Sequence, residues 1–500
     1  MPGLTANLQL LTPEFALAGL ALLVLAVDLV VPQNRKNLLG WLSIAGLLGL
    51  IALSLKMLWG ENETLYDGLL AVDAFSLFFK IFFLGLGIFI ILSSMDYVEK
   101  NLTSRGEFYG LILFSILGMN VMAQSRELLT AYISLELLSF CLYVLAAYAR
   151  NEAKSNEAGL KYIIIGAFSS AVLLYGVSMV YSTLGVTQFA SISAALANTG
   201  DASPALWVGM ALILVGLGFK LAAVPFHMWA PDVYEGAPFP VTAYLAIGSK
   251  AAAFALVLRL FAEGFLPAAD QWQIVVAVMA AITMLAGNLV ALAQHNIKRL
   301  MAYSSVGQVG IILTGVAALS ADSILPASGV MLYLVGYSLT NMLVFAGLIS
   351  FFNMTGREEI SAFRGLADGQ PFLAATIAIG LFSLGGLPIF AGFTIKFYLF
   401  TALASQGLLW LAALAIFSSL ISLYYYLQVI RQMYIRPVEE VAEAVAGREV
   451  YVPTGPSVST SPLILIVQSV TLVGVFWVGV YPAPFLAVID AASHAILPGL

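Results

Sequence analysis

Charge is what this sequence has least of. Of its 500 residues, 21 are Lys or Arg and 27 are Asp or Glu, 10% in all, against roughly 25% in ordinary soluble domains. So little charge cannot cover a water-facing surface, which excludes a soluble multidomain enzyme. With no basic excess to hold phosphates, a nucleic-acid binder is excluded as well. Cysteine is nearly absent. Cys141 stands alone in an apolar run, leaving no internal disulfide, iron–sulfur cluster or cysteine zinc site, and it reads as a small packing residue. Three scattered histidines, His227, His295 and His494, supply no paired haem ligands within one helix. No GxGxxG follows a strand and no Walker loop occurs, so no nucleotide, flavin, haem or metal site is expected in this chain. The opening MPGLTANLQLLTPEF has no basic residue before its first apolar stretch and does not read as a cleaved signal peptide.

What is present is apolar sequence: 61% hydrophobic residues and a mean hydropathy of +0.97. Runs of roughly 17–25 apolar residues, the length that crosses a bilayer, fall near 14–31, 38–59, 71–95, 108–124, 127–149, 158–184, 205–224, 240–262, 273–294, 300–320, 327–352, 371–404, 407–434 and 462–485. The expected fold is an all-α polytopic membrane protein of about fourteen transmembrane helices. The 371–404 run is too long for one straight span and is interrupted by Gly385-Gly386-Leu387-Pro388. One broken helix is the reading adopted, and two short re-entrant pieces also fit.

Threading these spans alternately through a membrane sorts the basic residues. Arg35, Lys36, Lys100, Arg105, Arg150, Lys154, Lys298, Arg299, Arg357, Arg364, Arg431, Arg436 and Arg448 gather on one side, and Lys56, Arg126 and Arg259 on the other. The positive-inside rule makes the first side cytoplasmic, and an even number of spans then puts both termini outside. A prokaryotic plasma membrane is the expected location, with thylakoid and organellar membranes left open.

Five basic residues remain inside spans: Lys80, Lys161, Lys220, Lys250 and Lys396. Glu136 is the one carboxylate near the middle of a span. A charge at mid-bilayer costs at least ~2.5–3.5 kcal/mol. Lys80 and Lys161, nearer the span ends, either snorkel to the interface or join a polar interior. Lys220, Lys250 and Lys396 are too deep to snorkel, and the Glu136 stem is too short. These four groups are therefore expected to face a polar path. Two of the lysines lie beside helix breaks. Pro225 follows Lys220 and removes the hydrogen bond to the Leu221 carbonyl, and Pro388 precedes Lys396 and frees the Leu384 carbonyl. Broken helices at membrane depth line cavities or pack inside protein.

The spans from 108 to 262 and from 273 to 434 make two sets of five, each with its fourth member broken. An odd number forces the sets into opposite orientations, the pattern of an inverted repeat. The expected domains are 1–107 (three helices), 108–262 (first repeat), 263–434 (second repeat) and 435–500 (a cytoplasmic loop and the last helix). Buried lysines suit proton transfer because desolvation brings their titration towards neutrality. Moving a proton against ~150 mV takes about 3.5 kcal/mol, and an opposite charge at ~7 Å is worth about 2.4 kcal/mol at an effective dielectric near 20. Making and breaking a Glu136–lysine pair thus has the right order of energy. Sodium, which wants several oxygen ligands, is poorly served by one carboxylate among lysines.

At these residues the sequence resembles a known family. GFKLAAVPFHMWAPDVYEGAP, GSKAAAF and AQHNIKRLMAYSSVGQVG are similar to the signature of the antiporter-like membrane subunits of respiratory complex I, NADH-quinone oxidoreductase. SLELLSFCLYVL, SNEAGLKYIIIGAFSSA and GLPIFAGFTIKFYLF resemble its subunit N branch most closely. The resemblance spans about 70–430 and is weak at the ends and in the 435–461 loop. It implies a proton-translocating subunit coupled to electron transfer from NADH to quinone in partner subunits, which carry the NAD, flavin and iron–sulfur sites. Its implied partners are neighbouring antiporter-like subunits and the peripheral arm. It implies that Glu136 modulates Lys220 as proton donor, that Lys250 relays laterally and that Lys396 leads to the exit. Lys161 falls at a sixth-helix lysine that the family places near the glutamate, and His227, just past the Pro225 break, is a candidate for a water chain. Asp232 and Glu235 fix the following loop or act at the cytoplasmic mouth, and His295 belongs to a surface turn. Three alternatives stay open: a subunit of a multisubunit sodium/proton antiporter, a ferredoxin- or hydrogenase-linked relative, and a passive structural subunit that has inherited the charges.

Overall fold

The computed structural model describes residues 7–32, 35–198, 203–435 and 460–497. Within them the chain runs α1 (Thr12–Val30), α2 (Asn37–Leu58), a small hairpin β1 (Glu63–Leu65) and β2 (Leu70–Val72), α3 (Ala74–Asn101), α4 (Arg105–Gln124), α5 (Leu128–Ala146) and α6 (Ala153–Leu184). A short α7 (Phe189–Asn198), then α8 (Pro204–Leu221) and α9 (Trp229–Gly236) follow. The next four are α10 (Phe239–Gly264), α11 (Ala269–Ala291), α12 (Ile297–Ala317) and α13 (Leu325–Thr355). The chain finishes with α14 (Pro371–Gly385), α15 (Ala391–Ser405), α16 (Leu409–Tyr434), α17 (Pro462–Val480) and the short α18 (Ala483–Ile496).

Thirteen of these helices are long and apolar enough to cross a membrane. The half-helices α14 and α15 make the fourteenth crossing, because α13 ends and α16 begins at opposite ends of the bundle. The 371–404 run is therefore one broken span and not two re-entrant pieces. Arg436 and Arg448, and most of the expected 435–461 loop, lie outside the described residues.

Local chemistry fixes the helix ends. Asp73 and Ser76 form a reciprocal capping box at the start of α3, the side chain of Asn296 accepts from the backbone of Lys298 and Arg299 at the start of α12, and Glu127 caps α5. Each supplies an acceptor to otherwise unpaired N–H groups. α10, α12 and α13 are buried almost throughout, whereas α1, α16 and α17 expose most of their apolar surface. An apolar helix buried on all sides is core, and one exposed along an apolar face meets lipid.

The connections pair with one another at the two ends. At one end Asn296 bridges Glu359, Ile297 N–H donates to the Glu358 carbonyl and Gly365 N–H to that of Gln432. At the other, Leu70 bridges Ser125 and Glu127 bridges Gln188. The described lysines and arginines assigned above to the cytoplasm all lie at the first end, here termed the basic end.

Arg259 lies at the end expected for it, near the far end of α10, but it is fully buried and so adds a sixth basic residue to the five expected inside the spans. Asp73 and Glu263 neutralise it and allow a cation inside the bundle.

Candidate polar axis through the bundle

α5 carries Glu136 and, one turn later, Ser139. Glu136 is half-buried and accepts a hydrogen bond from Ser170 of α6. Lys220 reaches α5 from the last turn of α8, donating to Ser139 Oγ at 2.6 Å and Tyr143 Oη at 3.2 Å. Its ammonium also lies 5.5 Å from the centre of the Tyr143 ring, a cation–π distance. Lys220 and Glu136 are therefore separated in this conformation. Ser139 and Glu136 sit one turn apart on α5, roughly 5–6 Å between Cβ atoms, so the hydroxyl that accepts from Lys220 is a neighbour of the carboxylate.

The break beside Lys220 falls earlier than Pro225. α8 stops at Leu221, and Ala222 takes a left-handed φ of 60°. The freed backbone groups find partners: the Phe219 carbonyl accepts from the Trp229 indole at 2.9 Å, and Val224 N–H donates to Thr283 Oγ1 at 2.9 Å. Pairing of this kind is what permits irregular backbone at membrane depth.

Lys250 follows a π-helical segment, Leu245–Ser249, inside α10. Wider helical turns of this type concentrate at functional sites, and nothing in the sequence announces this one. The Lys250 ammonium donates to Ser305 of α12 and lies 5.5 Å from the centre of the Tyr234 ring. One turn further along α12, Gln308 donates to the Leu384 carbonyl at 3.3 Å and accepts from Tyr333. Lys396 donates to the same Leu384 carbonyl at 2.8 Å. The carbonyl freed by Pro388 is thus held by the lysine of the second half-helix. Gly386, with φ 88°, turns the chain between the halves.

The sequence reading missed Ser139, Tyr143, Ser170, Ser305 and Gln308. Hydroxyl and amide side chains are common in apolar helices, and only the packing shows which ones meet a lysine.

The remaining candidates fall elsewhere. Lys161 is not beside Glu136. It bonds Glu157 and Asp232, each at 2.7 Å, at the basic end of α6. Ser170, which holds Glu136, is nine residues further on, about 13 Å along the axis at 1.5 Å per residue. Asp232 and Glu235 join Arg299 and Lys154 around a polar cavity of 150 Å³ at the basic end. His227 is half-buried after the break, and its backbone carbonyl accepts from Ala230. The His295 carbonyl accepts from Ile360 in the expected surface connection. Lys80 does not snorkel: it is buried against Glu14. No group of residues suited to a metal ion occurs among the described residues.

Fourteen crossings, two broken spans and a lysine at each break define an antiporter-like polytopic membrane subunit. The chain belongs to the NADH:quinone oxidoreductase/Mrp antiporter transmembrane family, whose model matches residues 125–422. It is 40% identical to NADH-quinone oxidoreductase subunit N of Desulforamulus reducens, covering 98% of this chain and 99% of that one. It is 41% identical to the subunit N of Moorella thermoacetica, covering 96% and 97%. Among solved structures, it resembles a chain of respiratory complex I from Thermus thermophilus with a TM-score of 0.78 and 30% identity, over 96% of this chain and 100% of that one. A chain of the Mrp complex from Dietzia shares the fold alone, with a TM-score of 0.83 and 21% identity, over 98% of each chain.

Proposed function

We propose that the chain is the proton-translocating membrane subunit of an NADH-quinone oxidoreductase, moving protons along Glu136, Lys220, Lys250 and Lys396. The NAD, flavin and iron–sulfur chemistry then belongs to partner subunits, and neighbouring antiporter-like subunits flank this one in the membrane. The basic end faces the cytoplasm of a prokaryotic cell. The segments 108–262 and 263–434 act as two repeats of opposite orientation.

One observation carries the reading. Every buried lysine of the axis ends on a hydroxyl or a freed carbonyl, none on a carboxylate. A lysine locked in an ion pair keeps its proton, whereas one held by neutral acceptors in a desolvated site can release it. Movement of Lys220 by one turn of α5, from Ser139 towards Glu136, switches between these conditions. Ser305 and Gln308, on one face of α12, link Lys250 to the Leu384 carbonyl and so to Lys396. The lysines trade hydrogen-bond acceptors as protons pass, while redox energy from the partners biases the Glu136–Lys220 distance.

The test is Lys220→Met in the assembled complex, reconstituted into vesicles. Expected is a lower ratio of protons pumped to NADH oxidised, with assembly unchanged. An unaltered ratio overturns the proposal and leaves a scaffold role. Sodium-stimulated exchange by the chain without a redox donor overturns it in favour of an antiporter.

A further inference from the structure

Lys220 and Lys250 are held in matching ways, with one difference. Lys220 donates to the Ser139 hydroxyl and lies 5.5 Å from the centre of the Tyr143 ring, and the Tyr143 hydroxyl accepts from it at 3.2 Å. Lys250 donates to the Ser305 hydroxyl and lies 5.5 Å from the centre of the Tyr234 ring. Here the tyrosine hydroxyl takes no part. Tyr234 is 0% exposed, and its Oη has no hydrogen-bond partner among the described residues, although the Ser305 side chain lies beside it.

A buried hydroxyl left without a partner costs stability, and native interiors contain few of them. A phenylalanine would fill the same space without that cost. Tyr234 is nevertheless firmly placed: its backbone carbonyl accepts from the Thr242 hydroxyl of α10 at 2.9 Å, eight residues before Lys250. Tyr337 of α13, another tyrosine beside Ser305, is committed, donating to the Ala246 carbonyl at 3.2 Å. Tyr234 thus supplies the uncommitted hydroxyl at the Lys250 site. An ammonium has three protons to donate, of which Ser305 takes one, and the four-carbon stem of a lysine is flexible. Rotation of that stem carries the ammonium from the face of the Tyr234 ring to the hydroxyl at its edge.

The two acceptors lead in opposite directions. Ser305 stands one turn from Gln308 on α12, whose amide reaches the Leu384 carbonyl that Lys396 also holds. Tyr234 belongs to a row of buried rings running the other way. Its ring centre is 6.4 Å from that of Trp229, which stacks on Tyr162 at 4.6 Å, and Tyr162 meets Tyr143 at 4.7 Å. Tyr143 is the acceptor of Lys220.

We propose that the Tyr234 hydroxyl is a second acceptor for Lys250, so that this lysine moves between Tyr234, on the Lys220 side, and Ser305, on the Lys396 side. Tyr234 is a positioning residue: Lys250 carries the proton, and Tyr234 keeps its own. The inference rests on the pumping reading and adds to it a place for Lys250 to turn between its two neighbours.

The test is Tyr234→Phe, which keeps the ring and removes only the hydroxyl. In the assembled complex, reconstituted into vesicles, it is expected to slow proton pumping by about ten- to a hundredfold, the loss of one hydrogen bond to a charged group. Assembly and thermal midpoint are expected to stay unchanged, because the hydroxyl has no partner to lose. Tyr234→His, whose ring retains an acceptor nitrogen, is expected to pump faster than Tyr234→Phe, whereas a purely structural role favours the phenylalanine. Where Tyr234→His fails to assemble, Tyr234→Phe decides alone. Normal pumping by Tyr234→Phe beside slowed pumping by Lys250→Met overturns this proposal and leaves the pumping reading standing. An assembled Tyr234→His that pumps no faster than Tyr234→Phe overturns it too. Normal pumping by Lys250→Met and Lys220→Met sinks the pumping reading and this inference with it.

Discussion

The two kinds of buried cation in this chain respond differently to substitution. Ser139 and Tyr143 both accept from Lys220, at 2.6 and 3.2 Å. A hydrogen bond to a charged group is worth roughly 1.5–3 kcal/mol, and each 1.36 kcal/mol is about tenfold in rate. Ser139→Ala is accordingly expected to slow proton pumping by about ten- to a hundredfold, and Tyr143→Phe by less, with assembly intact in both. Pumping initial rates in vesicles check the order; a larger effect from Tyr143→Phe shows that the longer contact dominates. Arg259 is held by two carboxylates, and removing one member of a buried ion cluster costs about 3–5 kcal/mol. Arg259→Met therefore lowers the thermal midpoint of the complex, while the proton-to-electron ratio of whatever assembles is unchanged. A changed ratio at full stability places Arg259 in the pumping path instead.

At the scale of the helix, the break between α14 and α15 depends on close backbone approach. A Cβ on Gly392 would fall on the Ser383 carbonyl, and one on Gly479 of α17 would fall on the Ile389 carbonyl. Both obstacles are backbone, which cannot swing aside as a side chain does. Overpacking of this kind costs roughly 1–3 kcal/mol or more, so Gly392→Ala and Gly479→Ala are expected to reduce the amount of assembled complex on native gels. Gly49→Ala and Gly85→Ala, which meet nothing within 4 Å, serve as controls and are expected to be neutral. Equal yields from all four variants would mean that the half-helices tolerate separation.

These breaks were legible in the sequence because their signals are local. Pro225 and Gly385-Gly386-Leu387-Pro388 sit beside Lys220 and Lys396 in a stretch of chain, and a deep lysine next to a breaker is visible without any partner. The ion clusters were not legible. Arg259 finds Asp73 186 residues away, and Glu14, at the start of a span, looks like an ordinary end residue until Lys80 closes on it. The α10 π-helical turn before Lys250 is built from apolar and small residues that fit an α-helix equally well, so its sequence carries no mark.

Over the whole molecule, the sorting of charge makes the orientation testable. Among the described residues, the bridges between connections join loops of one end, Asn296 with Glu359 at the basic end and Glu127 with Gln188 at the other, in keeping with the alternation of the crossings. An excess of Lys and Arg in the connections at one end is expected to place that end in the cytoplasm. The chain supplies its own background for labelling, because its one cysteine, Cys141, is buried. Asn151, exposed in the connection between α5 and α6, lies at the basic end, and Asp322, exposed between α12 and α13, lies at the other. With a membrane-impermeant maleimide, Asp322→Cys is expected to label in intact cells and Asn151→Cys only in inverted vesicles. The opposite pattern reverses the orientation. The Asp232 cavity would then face the outside, and the Glu14–Lys80 pair would lie at the cytoplasmic end.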